Sequence, residues 1–384
     1  MNDTKLCFVT TISKVMDWFV CDSTRNLSKN GYDITLICNM DEGFAERNKY
    51  AECISIDMKR GINVKEIIPT ITKLYKIFKK NNYDIVQYTS PNAAFYSSIA
   101  AFLAGVPIRL YSQWGIRYIS LTGVKRSVFK LVEKITCRLS TDVYEVSPMN
   151  RELAISEGLC KGDKISVIGR GGTIGVDLSA CDLEAKPKWR KELRSNYSIP
   201  DDAFIYGYLG RVNADKGINE LLSAFKNILL DDDNVYLVLV GMYDDSNPIY
   251  QDLYLWAKDS RHVVFTGNVP VDEVYHHLSM FDVLTHPTYR EGFGKVLQEA
   301  MGMQLPIITT NIPGPSEVVE KDVSGILVSD HSIDELEKAM VFLKNDSAFC
   351  KKMSIEARKQ AEMYYDRKVM LKNILDEMNN LVGR

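Results

Sequence analysis

Apolar residues along this chain follow two alternating periods from end to end. Short β-rich runs read as strands at Lys5–Thr11, Ile34–Cys38, Cys53–Asp57, Asp84–Tyr88, Arg109–Ser112, Val143–Val146 and Ile165–Ile168. Further on they read at Phe204–Leu209, Val235–Val240, Val263–Thr266, Val283–His286, Ile307–Thr309 and Gly325–Val328. Between them lie helical stretches. Over Val64–Lys80, Ile67, Ile68, Ile71, Leu74, Tyr75 and Phe78 form the stripe of an amphipathic helix. Ala93–Ala104 reads as a more buried helix, ended by Gly105-Val106-Pro107. Ile218–Leu229, Tyr250–Lys258, Val271–Ser279, Lys295–Met303 and Ser332–Lys344 read as helices of the second half.

Strands that alternate with helices of this length predict parallel sheets. The arrangement runs twice. The fold class is therefore α/β, with two doubly wound Rossmann-like domains and a seam near Arg170–Asp177. Ligands of open parallel sheets bind beyond the carboxyl ends of the strands, so a cleft between two facing domains is the expected site.

A length of 384 residues suits two domains, and 46% apolar with 25% charged residues is an ordinary globular mix. No apolar run reaches 18 residues, and Met1–Phe8 has no basic and apolar leader pattern. Neither a spanning helix nor a signal peptide is expected, and the chain reads as cytoplasmic. Eight cysteines without CxxC spacing read as reduced and buried rather than as a zinc site or disulfide framework. Charge is uneven. Residues 1–180 hold 24 Lys+Arg against 18 Asp+Glu, whereas 181–384 hold 23 against 32. All five histidines (262, 276, 277, 286 and 331) lie in the acidic half, so chemistry in the first half must proceed without one.

Three strand-to-helix junctions carry candidate chemistry. In Gly207–Gly217 a small-residue turn lets backbone N–H groups approach an anion, and Arg211 and Lys216 add two cations. It either clamps a diphosphate or is an ordinary turn with surface cations. In Pro287–Ala300, Glu291 lies in the loop and Glu299 in the helix that follows. The first could accept sugar hydroxyls and the second a ribose diol, while the helix start near Gly294–Val296 favours negative charge. Thr309–Val319 is a strand end, a rigid Pro/Gly turn and a helix start, either part of the site or a mere turn.

Glu291 and Glu299, inside Glu-Gly-Phe-Gly-x3-Gln-Glu-Ala-Met, resemble the E-x7-E signature of retaining glycosyltransferase family 4, of the bacterial surface-polysaccharide type. Gly210–Gly217, Gly175–Asp177, Pro306–Thr309 with Pro313–Glu317, and Asp322–Val328 are similar too. The resemblance spans essentially the full chain and is strongest over 165–330. It implies the GT-B fold, with an acceptor-binding domain at 1–170 and a nucleotide-sugar domain at 171–363. The remainder, 364–384, would hold a last helix, about Tyr364–Leu381, crossing back to the first domain. It further implies that Arg211 and Lys216 hold the donor diphosphate, with Glu291 on the donor sugar as the third catalytic group. Backbone of Gly210, Gly292, Phe293, Gly294, Val296 and Leu297 would complete the donor site. Glu299 would bind the ribose, and Met242 and Val269 would flank the base, uridine being the commonest in such enzymes.

The chain departs from the family in its first half. Where relatives carry His-Gly, it reads Gln113-Trp114-Gly115-Ile116-Arg117. Thr10–Ser13 lacks the usual double glycine and leads to Met16, Asp17, Trp18 and Phe19. That cluster could stack on an acceptor sugar, with Trp114 and Arg117 beside it, or be a helix face packed into the core.

The expected reaction moves a hexosyl group from a nucleotide sugar to a saccharide acceptor linked to polyprenyl diphosphate, as in O-antigen or capsule synthesis. Front-face return with retention is favoured, because no protein nucleophile is evident, although Glu291 stays open as one. The rivals are a nucleotide-sugar epimerase of the same fold and a non-catalytic nucleotide-sugar subunit. Asp231-Asp232-Asp233 matches a metal-binding pattern but sits at the amino end of a strand, so no metal, cofactor or nucleic acid is expected. Gly123–Ser140 interleaves Lys125, Arg126, Lys130, Lys134 and Arg138 with Val128, Phe129, Leu131, Val132, Ile135 and Leu139. It is either an anionic-membrane helix, peripheral at the inner face, or a packing helix with a solvated basic face.

Overall fold

The computed structural model describes residues 4–58 and 64–383, with the side chains of Val64, Arg117 and Ser120 outside that description. The chain divides into two compact units, Met1–Ile174 with Lys368–Arg384, and Gly175–Arg367. Both divisions fall a few residues after the expected ones.

In the first unit, β1 (Thr4–Ile12), β2 (Tyr32–Asn39), β3 (Glu52–Ser55), β4 (Ile85–Tyr88), β5 (Ile108–Gln113), β6 (Asp142–Glu145) and β7 (Ile165–Val167) form one sheet. Its order is β3-β2-β1-β4-β5-β6-β7, and every pairing is parallel. In the second, β8 (Phe204–Leu209), β9 (Val235–Val240), β10 (Val263–Gly267), β11 (Val283–His286), β12 (Ile307–Thr310) and β13 (Gly325–Val328) follow the order β10-β9-β8-β11-β12-β13, again all parallel. Helices connect successive strands and cover both faces, which is why interior strands are apolar throughout rather than alternating. Every residue of β9, VYLVLV, is buried. Each fully buried Val or Leu there contributes about 1.5–3 kcal/mol relative to exposure.

Strand order reverses between β1 and β4 in one sheet and between β8 and β11 in the other. At such a switch point the loops leaving adjacent strands diverge and open a crevice at the carboxyl ends. The loops after β8 and β11 are the first two motif segments of the sequence.

The last helix starts later than expected. Val176 N–H donates to the Tyr365 carbonyl and Arg367 N–H to that of Val176, both at 2.8 Å. This strand-like bridge pulls Asp366 to φ −57°, ψ 131°, outside helical space, so a π-helical turn over Ala361–Tyr365 stops there and a new helix runs Arg367–Val382. Its Ile374, Met378 and Leu381 pack with Leu6, Leu27 and Leu110 in the first unit's core. Tyr144 Oη donates to Glu377 Oε1 and Tyr32 Oη to Asn379 Oδ1, each at 2.9 Å.

Candidate active site

The loop leaving β8 ends in a short 3-10 turn, Ala214–Lys216, capped by Asn213 Oδ1, which accepts from Lys216 N–H at 3.2 Å. Gly217 follows at φ +70°, so close to the next loop that a Cβ there would lie 1.9 Å from the Pro287 carbonyl oxygen. Only glycine permits that approach. The two loops are then joined by Tyr289 N–H to the Asp215 carbonyl at 3.0 Å and Arg290 to Asp215 at 2.8 Å. The junction delivers Lys216 Nζ to 2.6 Å from Glu291 Oε2. Burial works against ionisation of Glu291, but the Lys216 charge and His286 outweigh it and hold the carboxyl well below its usual range.

The third motif also belongs to this site. Gly314, at φ +92°, lies against the Glu291–Gly292 backbone, where an added Cβ would meet the two carbonyl oxygens at 2.9 and 2.7 Å. The Glu317 carboxylate accepts from Gly314 N–H at 2.9 Å and fixes that turn.

Arg211 goes elsewhere. Its Nη1 donates to Asp244 Oδ2 at 2.7 Å, and its side chain is 56% exposed. Asp244 also accepts from Ser246 and Asn213, which with Arg211 bring its pKa down to about 2. The protein atoms thus bring Lys216 to Glu291 and Arg211 to Asp244.

Gly294 caps the helix Lys295–Gly302 at φ +86°, and Val296 is half-buried in its first turn. Glu299 is mostly buried, meeting Lys295 Nζ at 3.3 Å. Burial raises its pKa, against the pull of Lys295. Phe293 is buried edge-on to Tyr365. The Leu297 side chain is fully buried, and its N–H donates to the Gly294 carbonyl at 3.0 Å. Met242 is exposed, with its carbonyl already accepting from Val212 N–H at 2.9 Å. Val269 is half-buried just after β10, and Gly210 donates its N–H to the Val240 carbonyl.

Sequence reasoning assigned no role to His286. It ends β11 fully buried, with Nε2 3.8 Å from Glu291 Oε2 and its ring stacked on Tyr208 at 5.5 Å. Among the described residues neither ring nitrogen has a hydrogen-bond partner, and burial lowers its pKa. Its position as the last inward residue of a strand entering the Glu291 loop was the available signal. Asp244 carried none, because its role depends on the fold bringing a separate loop to Arg211.

A glycosyl transferases group 1 family model matches residues 190–360, and a glycosyl transferase 4-like model matches 5–147. This chain belongs to the glycosyltransferases. It is 29% identical over 383 residues to the capsular polysaccharide biosynthesis glycosyltransferase CapM of Staphylococcus aureus, covering 99% of this chain and 98% of that one. It is 26% identical to an Escherichia coli UDP-Gal:alpha-D-GlcNAc-diphosphoundecaprenol alpha-1,3-galactosyltransferase, over 83% of this chain and 82% of the relative. Among solved structures it is similar to Anabaena HepE in complex with UDP and glucose, with a TM-score of 0.79 at 18% identity, covering 98% of this chain and 99% of that one. The fold is GT-B.

In the N-terminal unit of this glycosyltransferase, the segment after β1 folds as a short helix with one buried and one exposed side. Within helix Ser13–Phe19, Met16 is fully buried, Phe19 is half-buried and Trp18 is 48% exposed. Phe19 meets Trp114 at 5.4 Å between centroids and Trp18 at 6.5 Å. The Arg117 side chain lies outside the described residues.

Helix Gly123–Leu139 turns part of its basic face inward. Arg126 and Lys130 both pair with Glu157, at 3.2 and 2.5 Å. Val124, Lys125, Val128, Leu131, Lys134 and Arg138 are exposed. Asp232 of the acidic triplet pairs with Lys344. Among the described residues, no helix is long and apolar enough to cross a membrane.

Proposed function

We propose that this glycosyltransferase moves a hexosyl group, with retention, from a UDP-sugar to a saccharide acceptor carried on polyprenyl diphosphate, in capsule or related surface-polysaccharide synthesis. The observation that carries this reading is the meeting of Lys216 and Glu291 at the switch point of the C-terminal sheet. Departure of UDP builds negative charge on the leaving oxygen. A preorganised cation there stabilises the transition state more than the ground state. The paired carboxylate is placed to accept donor-sugar hydroxyls, and Glu299 those of the ribose. UDP in the HepE structure supports the base, and the names of the capsular and galactosyl relatives support the acceptor class. The leaving phosphate takes the acceptor's proton, in keeping with a first half that has no histidine. No metal enters this scheme.

The apolar and cationic residues exposed on helix Gly123–Leu139 suit an anionic surface, where a lipid-linked acceptor would reside. The test is a screen of UDP-hexoses with polyprenyl-diphosphate sugars, reading the product's anomeric configuration by NMR. Transfer with retained configuration, unaffected by chelator, is expected. Inversion, or release of an altered sugar without an acceptor, overturns the proposal.

A further inference from the structure

The N-terminal sheet has a switch point of its own. Beyond the carboxyl ends of β1, β4 and β5 the chain leaves a cavity of about 540 Å³, within the range of small-molecule sites. Phe19, Tyr111 and Trp114 give it aromatic walls. Such rings stack on the apolar C–H face of a sugar while its hydroxyls seek polar partners.

The polar partner is Glu133. This residue lines the cavity from helix Gly123–Leu139 and is only 5% exposed. Both of its hydrogen bonds fall on Oε2, from Tyr111 Oη at 2.9 Å and Gln113 Nε2 at 3.0 Å. Oε1 receives none among the described residues, and no cation pairs with the carboxylate there. Two neutral donors do little to offset the burial of a charge. Thr89 lines the same cavity, and its buried Oγ1 has no partner among the described residues. Beside it, Ser90 holds φ 67°, ψ 136°, a strained conformation for a residue with a side chain. One carboxylate oxygen is pinned and the other is left open among aromatic rings. A sugar hydroxyl within reach would satisfy that open oxygen.

We propose that this cavity holds the terminal sugar of the acceptor, and that Glu133 Oε1 accepts one of its hydroxyls as a specificity-determining contact. The proposal rests on the transferase reading, which supplies a saccharide acceptor. Binding is measured without donor, by tryptophan fluorescence. The probes are short-chain polyprenyl diphosphates bearing glucose, galactose, N-acetylglucosamine or N-acetylgalactosamine, and the same lipid without sugar. At least one sugar-bearing probe should bind at least tenfold more tightly than the bare lipid. Glu133→Gln and Glu133→Ala should each remove most of that difference, while calorimetric UDP affinity stays within twofold. In turnover, the acceptor KM should rise more than kcat falls. Thr89→Val keeps the site testable if Glu133→Ala fails to fold. Loss of sugar preference in Thr89→Val supports the site.

The proposal is overturned if no probe binds in preference to the bare lipid, or if folded Glu133→Gln keeps the wild-type preference. It is likewise overturned if UDP affinity falls in parallel. Glu133-dependent sugar binding by an enzyme that transfers from no UDP-hexose would sink the transferase reading and leave the saccharide site standing.

Discussion

Lys216 and Glu291, 75 residues apart in sequence, meet at 2.6 Å, and the contact depends on the close approach of Gly217 to the Pro287 carbonyl. The pair is partly sheltered, with side chains 15% and 24% exposed. The pairing keeps the carboxylate ionised, and in the proposed reaction the ammonium would stabilise the leaving diphosphate.

Lys216→Ala should therefore lose about 10²–10³ in turnover at saturating donor, with a smaller loss in UDP affinity. It should also destabilise the fold by about 1–3 kcal/mol at pH 7, because Glu291 loses its compensating charge. The pKa of Glu291 is depressed in the fold, so the pair's contribution is present above the unfolded carboxylate's pKa and fades as pH falls. The melting-temperature loss should shrink toward pH 3. Arg211→Ala should depress turnover as well but leave stability within about 1 kcal/mol, since the Arg211 side chain is more than half exposed and Asp244 keeps its bonds from Asn213 and Ser246. Near wild-type turnover at saturation in either variant removes that cation from the leaving group.

Glu299→Ala should weaken UDP binding by about 1.5–3 kcal/mol, the worth of a charge-assisted hydrogen bond to the ribose. Burial raises the pKa of Glu299, so UDP affinity should fall as the medium is acidified through that raised value. Glu299→Gln should flatten the pH dependence. Calorimetry across pH showing unchanged affinity in Glu299→Ala would end the ribose assignment.

The exposed Val128 and Leu131 on helix Gly123–Leu139 should decide membrane binding. Wild-type protein should float with anionic vesicles at low salt and be released as salt screens its cations. Val128→Asp with Leu131→Asp should stay at the bottom of the gradient. Flotation by that variant at the wild-type level, or none by wild type, refutes membrane docking through this face.

The sheets were legible in the sequence because buried parallel strands are short apolar runs between turn signals, and β8–β13 lie close to the expected spans. Helix Lys186–Asn196 was not. Its buried residue is Arg194, whose guanidinium donates to the Ala203 carbonyl at 2.8 Å and to Asp282 at 3.0 Å, and hydrophobic periodicity cannot register a buried cation. The residues that the fold brings together as a candidate site were legible where they sit in local motifs, as at Lys216 and Glu291. Leu297 lies in the same motif, and helical geometry turns its side chain into the core. His286 and Glu133 were missed for the opposite reason. Each has its neighbours in distant chain that only the fold brings near, Glu291 for one, and Tyr111 with Gln113 for the other.

Glu133 also sets a pH dependence of stability. Burial pushes its pKa up to about 7, against the lowering effect of the Tyr111 and Gln113 hydrogen bonds. In the unfolded chain it returns to the usual carboxylate range. Between those values the folded protein binds the proton more tightly, so raising the pH through this window costs stability at about 1.4 kcal/mol per tenfold difference in proton affinity. Glu133→Gln keeps an oxygen for Tyr111 and Gln113 and has no proton to lose. Its melting temperature should match wild type near pH 4 and exceed it at pH 8, at about 2–4 °C per kcal/mol for a domain of this size. Differential scanning calorimetry at the two pH values measures this directly. A gap that does not widen between pH 4 and 8 would mean that the carboxylate is not held neutral in the fold, and that its burial carries no cost for a ligand to offset.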